Sequence, residues 1–233
     1  CMSFQQIYDY VFPGCSPKTC SNTLSSLINK DLFIEKIGYH NDNSYFQLTQ
    51  KGINMLKKWG VIPIDRNKSN LIVRDSLLPA KSILLKSNNI SHQLSLNQFV
   101  IDFINRYPEI EFDYFDEKYV SRIFSDIRPD GIIKTKNCLY FLEMDMNTEQ
   151  KQRLIKKWIS YYSFLNSDDY YANCCSDNIK VLFILDNIGK SSLRKYRVQE
   201  YIDSCLNTKI SESFNLYVGT KQELFKFLDG TFN

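Results

Sequence analysis

Ser16-Pro17-Lys18-Thr19-Cys20-Ser21-Asn22-Thr23-Leu24-Ser25-Ser26-Leu27-Ile28-Asn29-Lys30 decides the fold of the first part of the chain. Ser16 has the short hydroxyl that caps a helix, and Pro17 has the fixed φ suited to a first helical position. Cys20, Leu24, Leu27 and Ile28 recur at helical spacing and make one apolar face. The other face carries Lys18, Thr19, Ser21, Asn22 and Ser25, most of them short polar side chains that let a helix approach bases or phosphates closely. The spacing predicts a helix with one dry side and one polar side.

Upstream, Phe4, Ile7, Tyr8 and Val11 predict a helix over 3–12, stopped by Pro13-Gly14. Downstream, residues 32–37 read as a strand, 38–44 as a polar turn with an Asn-Asp-Asn tip, and 45–48 as the returning strand. Thr49 caps a further helix with Ile53, Leu56 and Trp59 inward. Helix, turn, helix, two-stranded ribbon, helix is the order of a winged helix-turn-helix, here over residues 1–60. In that arrangement the second helix enters the major groove of double-stranded DNA and the wing touches the backbone. The expected DNA-binding residues are Lys18, Thr19, Ser21, Asn22 and Ser25, with His40 and Asn41 on the wing. Such domains usually start with one more helix, and none is legible before residue 3. Winged helices often read palindromes in pairs, which leaves a homodimer open.

Composition bounds the rest. The chain has 233 residues, 43% of them hydrophobic and 24% charged, enough for one large or two small globular domains. A formal net charge of +3 requires any basic surface to be local. No apolar run is long enough to span a bilayer, so no membrane role is expected. Seven cysteines, an odd number without C-x2-C spacing, read as reduced thiols of a cytoplasmic protein.

Residues 61–88, with Pro63, Pro79 and weak periodicity, read as a linker to a second domain over 89–233. A helical stripe over Leu94, Leu96, Phe99, Val100, Phe103 and Ile104 opens it, with His92 near its start as a packing or capping residue. A meander of three strands follows: 110–115, 127–134 and 138–144, the last two joined by Thr135-Lys136-Asn137. Next come a helix over 148–164 with Leu154, Ile155, Trp158, Ile159 and Tyr162 inward, a buried strand over 180–185, and a helix over 191–205. A second buried strand over 214–218 and a short helix over 221–228 close the chain. This is an α/β layout with one mixed sheet.

Asp130 falls on the first strand of the predicted hairpin, and Glu143 and Asp145 on the second. Residues two apart on a strand share a face, so the three carboxylates converge. Clustered carboxylates need a counter-charge, and magnesium is the usual one. Pro129-Asp130 followed by Glu143 resembles the PD-(D/E)xK nucleases. In active members a lysine stands two residues after the glutamate, where this chain has Asp145. Lys157, or else Lys151, on the next helix is the candidate replacement. The resemblance implies Asp130, Glu143, Asp145 and Lys157 as catalytic candidates and the three acids as metal ligands. The acid in the lysine's place argues against catalysis.

Taken together, the winged helix, Ser91-His92-x-Leu94-x-Leu96-Asn97, Arg128-Pro129-Asp130, Glu143-Met144-Asp145 and Lys157-x-x-x-Tyr161 resemble the replication-relaxation family of plasmids and integrative elements. The resemblance implies a DNA-binding accessory or regulatory protein of replication, relaxation or mobilisation, with a degenerate nuclease-like domain. Two alternatives stay open. One is an active magnesium-dependent endonuclease or nickase; the other is an adaptor for a replication initiator, relaxase or other mobilisation protein.

Overall fold

The computed structural model describes residues 2–30, 33–40, 43–58, 90–146, 149–168, 170, 178–186, 191–205 and 215–232. It falls into two compact units, residues 1–68 with 74–105, and residues 69–73 with 106–233. The expected linker lies outside the described residues. The helix expected to open the second domain at residue 89 groups with the first unit as far as Asn105.

The first unit contains β1 (Met2–Ser3), α1 (Phe4–Val11), α2 (Pro17–Asn29), β2 (Ile34–His40), β3 (Asn43–Leu48), α3 (Gln50–Lys58) and most of α4 (Ile90–Arg106). A capping box starts α1: the Gln6 amide N–H donates to Ser3 Oγ at 3.1 Å, and the Ser3 N–H donates to Gln6 Oε1 at 3.0 Å. The other end of the Gln6 side chain, Nε2, donates to the Leu94 carbonyl at 2.8 Å and ties α1 to α4. Ser16 caps α2 by accepting from the Thr19 N–H at 3.1 Å, with Pro17 in the first turn. Ile7, Cys20, Leu24 and Phe46 form one buried cluster of this unit.

The two strands run further than the polar turn at 38–44 suggested. His40 lies opposite Asn43, and the register shifts between Lys36 and Gly38. Ladder bonds are made by backbone groups, so polar residues can extend a ribbon without an apolar signal. β1 adds to the other edge of β3, giving the order β1-β3-β2. Asn41 lies outside the described residues, and of His40 only its place in β2 is described. Gly52 has a steric cause: a Cβ there would stand 2.2 Å from the Phe33 carbonyl oxygen. The Gly52 N–H donates to Thr49 Oγ1 at 3.1 Å, the expected cap of α3.

The second unit runs β4 (Phe112–Asp116), α5 (Glu117–Ile123), β5 (Gly131–Thr135), β6 (Leu139–Asp145), α6 (Lys151–Leu165), β7 (Ile179–Leu185), α7 (Ser191–Cys205), β8 (Leu216–Thr220) and α8 (Lys221–Phe232). It is a mixed α/β unit whose five-stranded sheet has the order β4-β5-β6-β7-β8. The β4–β5 and β5–β6 pairs are antiparallel; β6–β7 and β7–β8 are parallel. The predicted three-strand meander is interrupted by α5, a short element whose pattern did not stand out from its surroundings. The Thr135–Cys138 turn is closed by the Thr135 N–H donating to the Cys138 carbonyl at 2.9 Å.

Every residue of β6 is buried, as its central place requires. β8, read as a buried strand, is the sheet edge, and most of its residues are only half-buried. The face of α6 also differs from expectation. Leu154, Trp158, Tyr161 and Phe164 point inward, whereas Ile159 is 49% and Tyr162 36% exposed. Apolar residues surround much of this helix, so its pattern alone leaves the rotation ambiguous; packing against the sheet selects the Trp158 side. Trp158 meets Phe183 edge to face at 5.2 Å within the main core, which also holds Phe124, Phe141 and Phe164.

Candidate functional site

The site forms where the C-terminal end of β6 meets the first turns of α6. Glu143 and Asp145 alternate onto one side of β6. Asp130 stands just ahead of β5 rather than within it, but its N–H already donates to the Leu142 carbonyl at 2.9 Å. The Met144 N–H in turn donates to Asp130 Oδ2 at 2.7 Å.

Glu143 is 1% exposed, and both its oxygens are engaged. Lys157 Nζ donates to Oε2 at 2.7 Å and Tyr161 Oη donates to Oε1 at 2.5 Å. Lys157 and Tyr161 are four residues apart on α6, the spacing that puts two side chains on one face. Lys157 also donates to Glu149 Oε1 at 2.9 Å. Asp145, equally buried, accepts from Arg194 Nε at 2.6 Å. Arg194 Nη2 donates to the Glu149 carbonyl at 3.0 Å, so Glu149 connects the two buried acids. One chain of contacts therefore runs Tyr161, Glu143, Lys157, Glu149, Arg194, Asp145.

Burial raises the Glu143 pKa from its ordinary 4.5 to about 7, and Asp130 adds to that rise, while Lys157 and Tyr161 work against it. Burial opposes the charge on Lys157, but Glu143, Glu149 and Asp130 hold its pKa above the usual lysine value. Burial and the neighbouring Glu143 push the Tyr161 phenol well up, so it remains a donor.

The carboxylates expected around one cation are thus divided among an ammonium, a guanidinium, a phenol and a backbone amide. Among the described residues, no group of three His, Cys, Asp or Glu side chains is arranged to hold a metal ion. Both Glu143 oxygens are taken by protein donors, Lys157 Nζ and Tyr161 Oη. Lys157 does reach Glu143; Lys151, the other candidate, sits over the Tyr201 ring at 4.9 Å. Glu149 and Arg194 had no local signal. Arg194 arrives on a helix delivered between two parallel strands, a proximity that only the sheet order reveals.

Beside Glu143 opens a cleft of about 220 Å³ lined by residues 125–128, Glu143, Lys157, Ser160 and Tyr161. That is below the usual size of a small-molecule pocket, about 300–1,000 Å³, and suits a phosphate-sized group. Arg128, at its margin, is exposed, and among the described residues no carboxylate pairs with it.

In the first unit, Lys18, Thr19, Ser21, Asn22 and Ser25 are all exposed on one side of α2, while Cys20 and Leu24 are buried on the other. The β2–β3 ribbon is also present in this unit.

Residues 1–176 match the model of the replication-relaxation family. The chain belongs to that family. Membership points to a role in plasmid or mobile-element replication or relaxation. No curated protein and no solved structure matches the chain. Among the described residues no helix is long and apolar enough to cross a membrane. β7, α7, β8 and α8 lie beyond the matched stretch, so this replication-relaxation protein draws the partner of Asp145 from outside it.

Proposed function

We propose that this replication-relaxation protein is a DNA-binding accessory or regulatory factor of a plasmid or mobile element. In this reading the first unit is a winged helix that docks α2 in the major groove of double-stranded DNA, and the β2–β3 ribbon is its wing. The second unit keeps a nuclease-like frame whose acids have become structural ion pairs. The observation that carries the reading is the exposed polar side of α2, fixed to its core by Cys20 and Leu24. Short polar residues there allow the close helix–groove approach that base contacts need.

The test is a fluorescence-anisotropy titration of the full chain against labelled duplexes drawn from the DNA that encodes it. Binding at micromolar protein that weakens with salt is expected, with a marked loss for Lys18→Ala/Asn22→Ala. Salt-independent or absent binding overturns the proposal.

The approach of Lys157 to Glu143 favours a second reading, an endonuclease that has moved its lysine onto α6. Supercoiled plasmid incubated with magnesium or manganese separates the two. Nicking by wild type that disappears in Glu143→Ala would establish cleavage, and equal nicking by both would dismiss it.

A further inference from the structure

Helix α6 carries Lys151, Arg153, Lys156 and Lys157 in its first two turns and no acid anywhere along it. This is the positive end of the helix dipole, where a cation is unfavourable by a few tenths of a kcal/mol and an acid would stabilise. No side chain caps this end either. The local energetics of the helix therefore do not explain the charges.

Their positions are ordered. Arg153, Lys156, Lys157 and Ser160 stand at i, i+3, i+4 and i+7, a single stripe along the helix. Lys157 and Ser160 line the cleft beside Glu143, and Arg128 lines it too. Arg128, Arg153 and Lys156 are exposed, and among the described residues none of them has an ion-pair partner. Lys157 uses two of its three N–H donors on Glu143 and Glu149, which leaves one. Two acids lie on the lining: Asp126, which accepts from Ser125 Oγ at 3.0 Å, and buried Glu143, whose oxygens accept from Lys157 and Tyr161.

We infer that this stripe and the cleft it enters are a second nucleic-acid surface, binding the phosphodiester backbone of duplex DNA without reading its sequence. Exposed arginine and lysine in a row supply counterion-releasing phosphate contacts, and the small cleft admits one phosphate between Arg128 and Lys157. The surface lies wholly on the second unit and needs no contribution from α2.

The experiment titrates the full chain with a labelled 30-bp duplex of random sequence between ~50 and ~300 mM KCl. Arg128→Ala/Arg153→Ala/Lys156→Ala is compared with a control of equal charge loss, Lys134→Ala/Lys136→Ala/Lys226→Ala, and with Lys18→Ala/Asn22→Ala. All six positions in the two triple variants are at least partly solvent-exposed, and circular dichroism verifies folding. Three phosphate contacts correspond to a loss of about 3 in the slope of log affinity against log salt, and roughly 500-fold weaker binding near 0.1 M. The first triple should show this loss while the control keeps the wild-type slope to within about 1. A first triple that behaves like the control overturns the inference. Loss confined to the α2 variant sinks this inference and leaves the α2 reading standing; loss confined to the first triple supports this inference, and the α2 reading is decided by the titration with the encoding DNA.

Discussion

Replacing Glu143 by glutamine keeps the shape of the side chain and removes its charge. Burial of Glu143 at 1% exposure raises its pKa from 4.5 to about 7, against the pull of Lys157. In the unfolded chain the carboxyl ionises near 4.5; in the folded chain it keeps its proton to about 7. Between those values the unfolded state binds fewer protons, so stability falls as pH rises. The contribution is complete below 4.5 and is lost as pH climbs through about 7. That gap is worth about 3 kcal/mol. Glutamine titrates in neither state, so Glu143→Gln should match wild type near pH 4.5 and exceed it by about 3 kcal/mol near pH 8. Lys157 keeps Glu149 as a partner in the variant. The assay is urea unfolding at several pH values, followed by Trp158 fluorescence in a Trp59→Phe background so that the signal comes from the second unit. A variant several kcal/mol less stable than wild type near pH 8 would refute the reasoning, because pairing with Lys157 would then outweigh desolvation.

Three further outcomes follow from contacts described above. Arg194→Met removes the guanidinium from buried Asp145 and should cost about 3–5 kcal/mol in urea unfolding. Lys195→Ala, at the exposed pair with Glu223, should change stability by under ~1 kcal/mol and so serves as its control. Gly52→Ala drives a Cβ into the Phe33 carbonyl and should lower the stability of the first unit by about 2 kcal/mol, read from its melting temperature. Ser16→Ala removes the cap of α2 at a cost of about 1 kcal/mol, and should fray the helix start in amide hydrogen exchange.

The legible parts of the fold were those with strong local chemistry. Ser16-Pro17 announced the start of α2, and the bounds of α7 agree with the sequence reading. The apolar run at 180–185 announced a central strand. What escaped was decided at a distance or by the backbone. β1 exists because β3 has a free edge beside it, and α5 is too short for its pattern to stand out. Leu154 and Trp158 of α6 face inward as their spacing predicts, while Ile159 and Tyr162, equally apolar in pattern, are left outside by the packing of Tyr161 and Phe164. For the site, Lys157 is legible because an acid stands where a lysine is expected and the next helix offers one that reaches Glu143. Nothing near Asp145 in sequence discloses that a guanidinium from α7 meets it. Tyr161 was visible only as part of a spacing; its hydrogen bond to Glu143 gives that spacing a physical reason.

Gln6 has every polar atom of its side-chain amide in use within the first unit, one toward the start of the chain and one toward Leu94, 88 positions away. A change at Ser3 is therefore not confined to the cap of α1: it would loosen the capping box, let the amide turn, and weaken its bond to the Leu94 carbonyl in α4. A single side chain thus couples the entry of one helix to another far along the chain, at a cost of about 1 kcal/mol when the bond is lost.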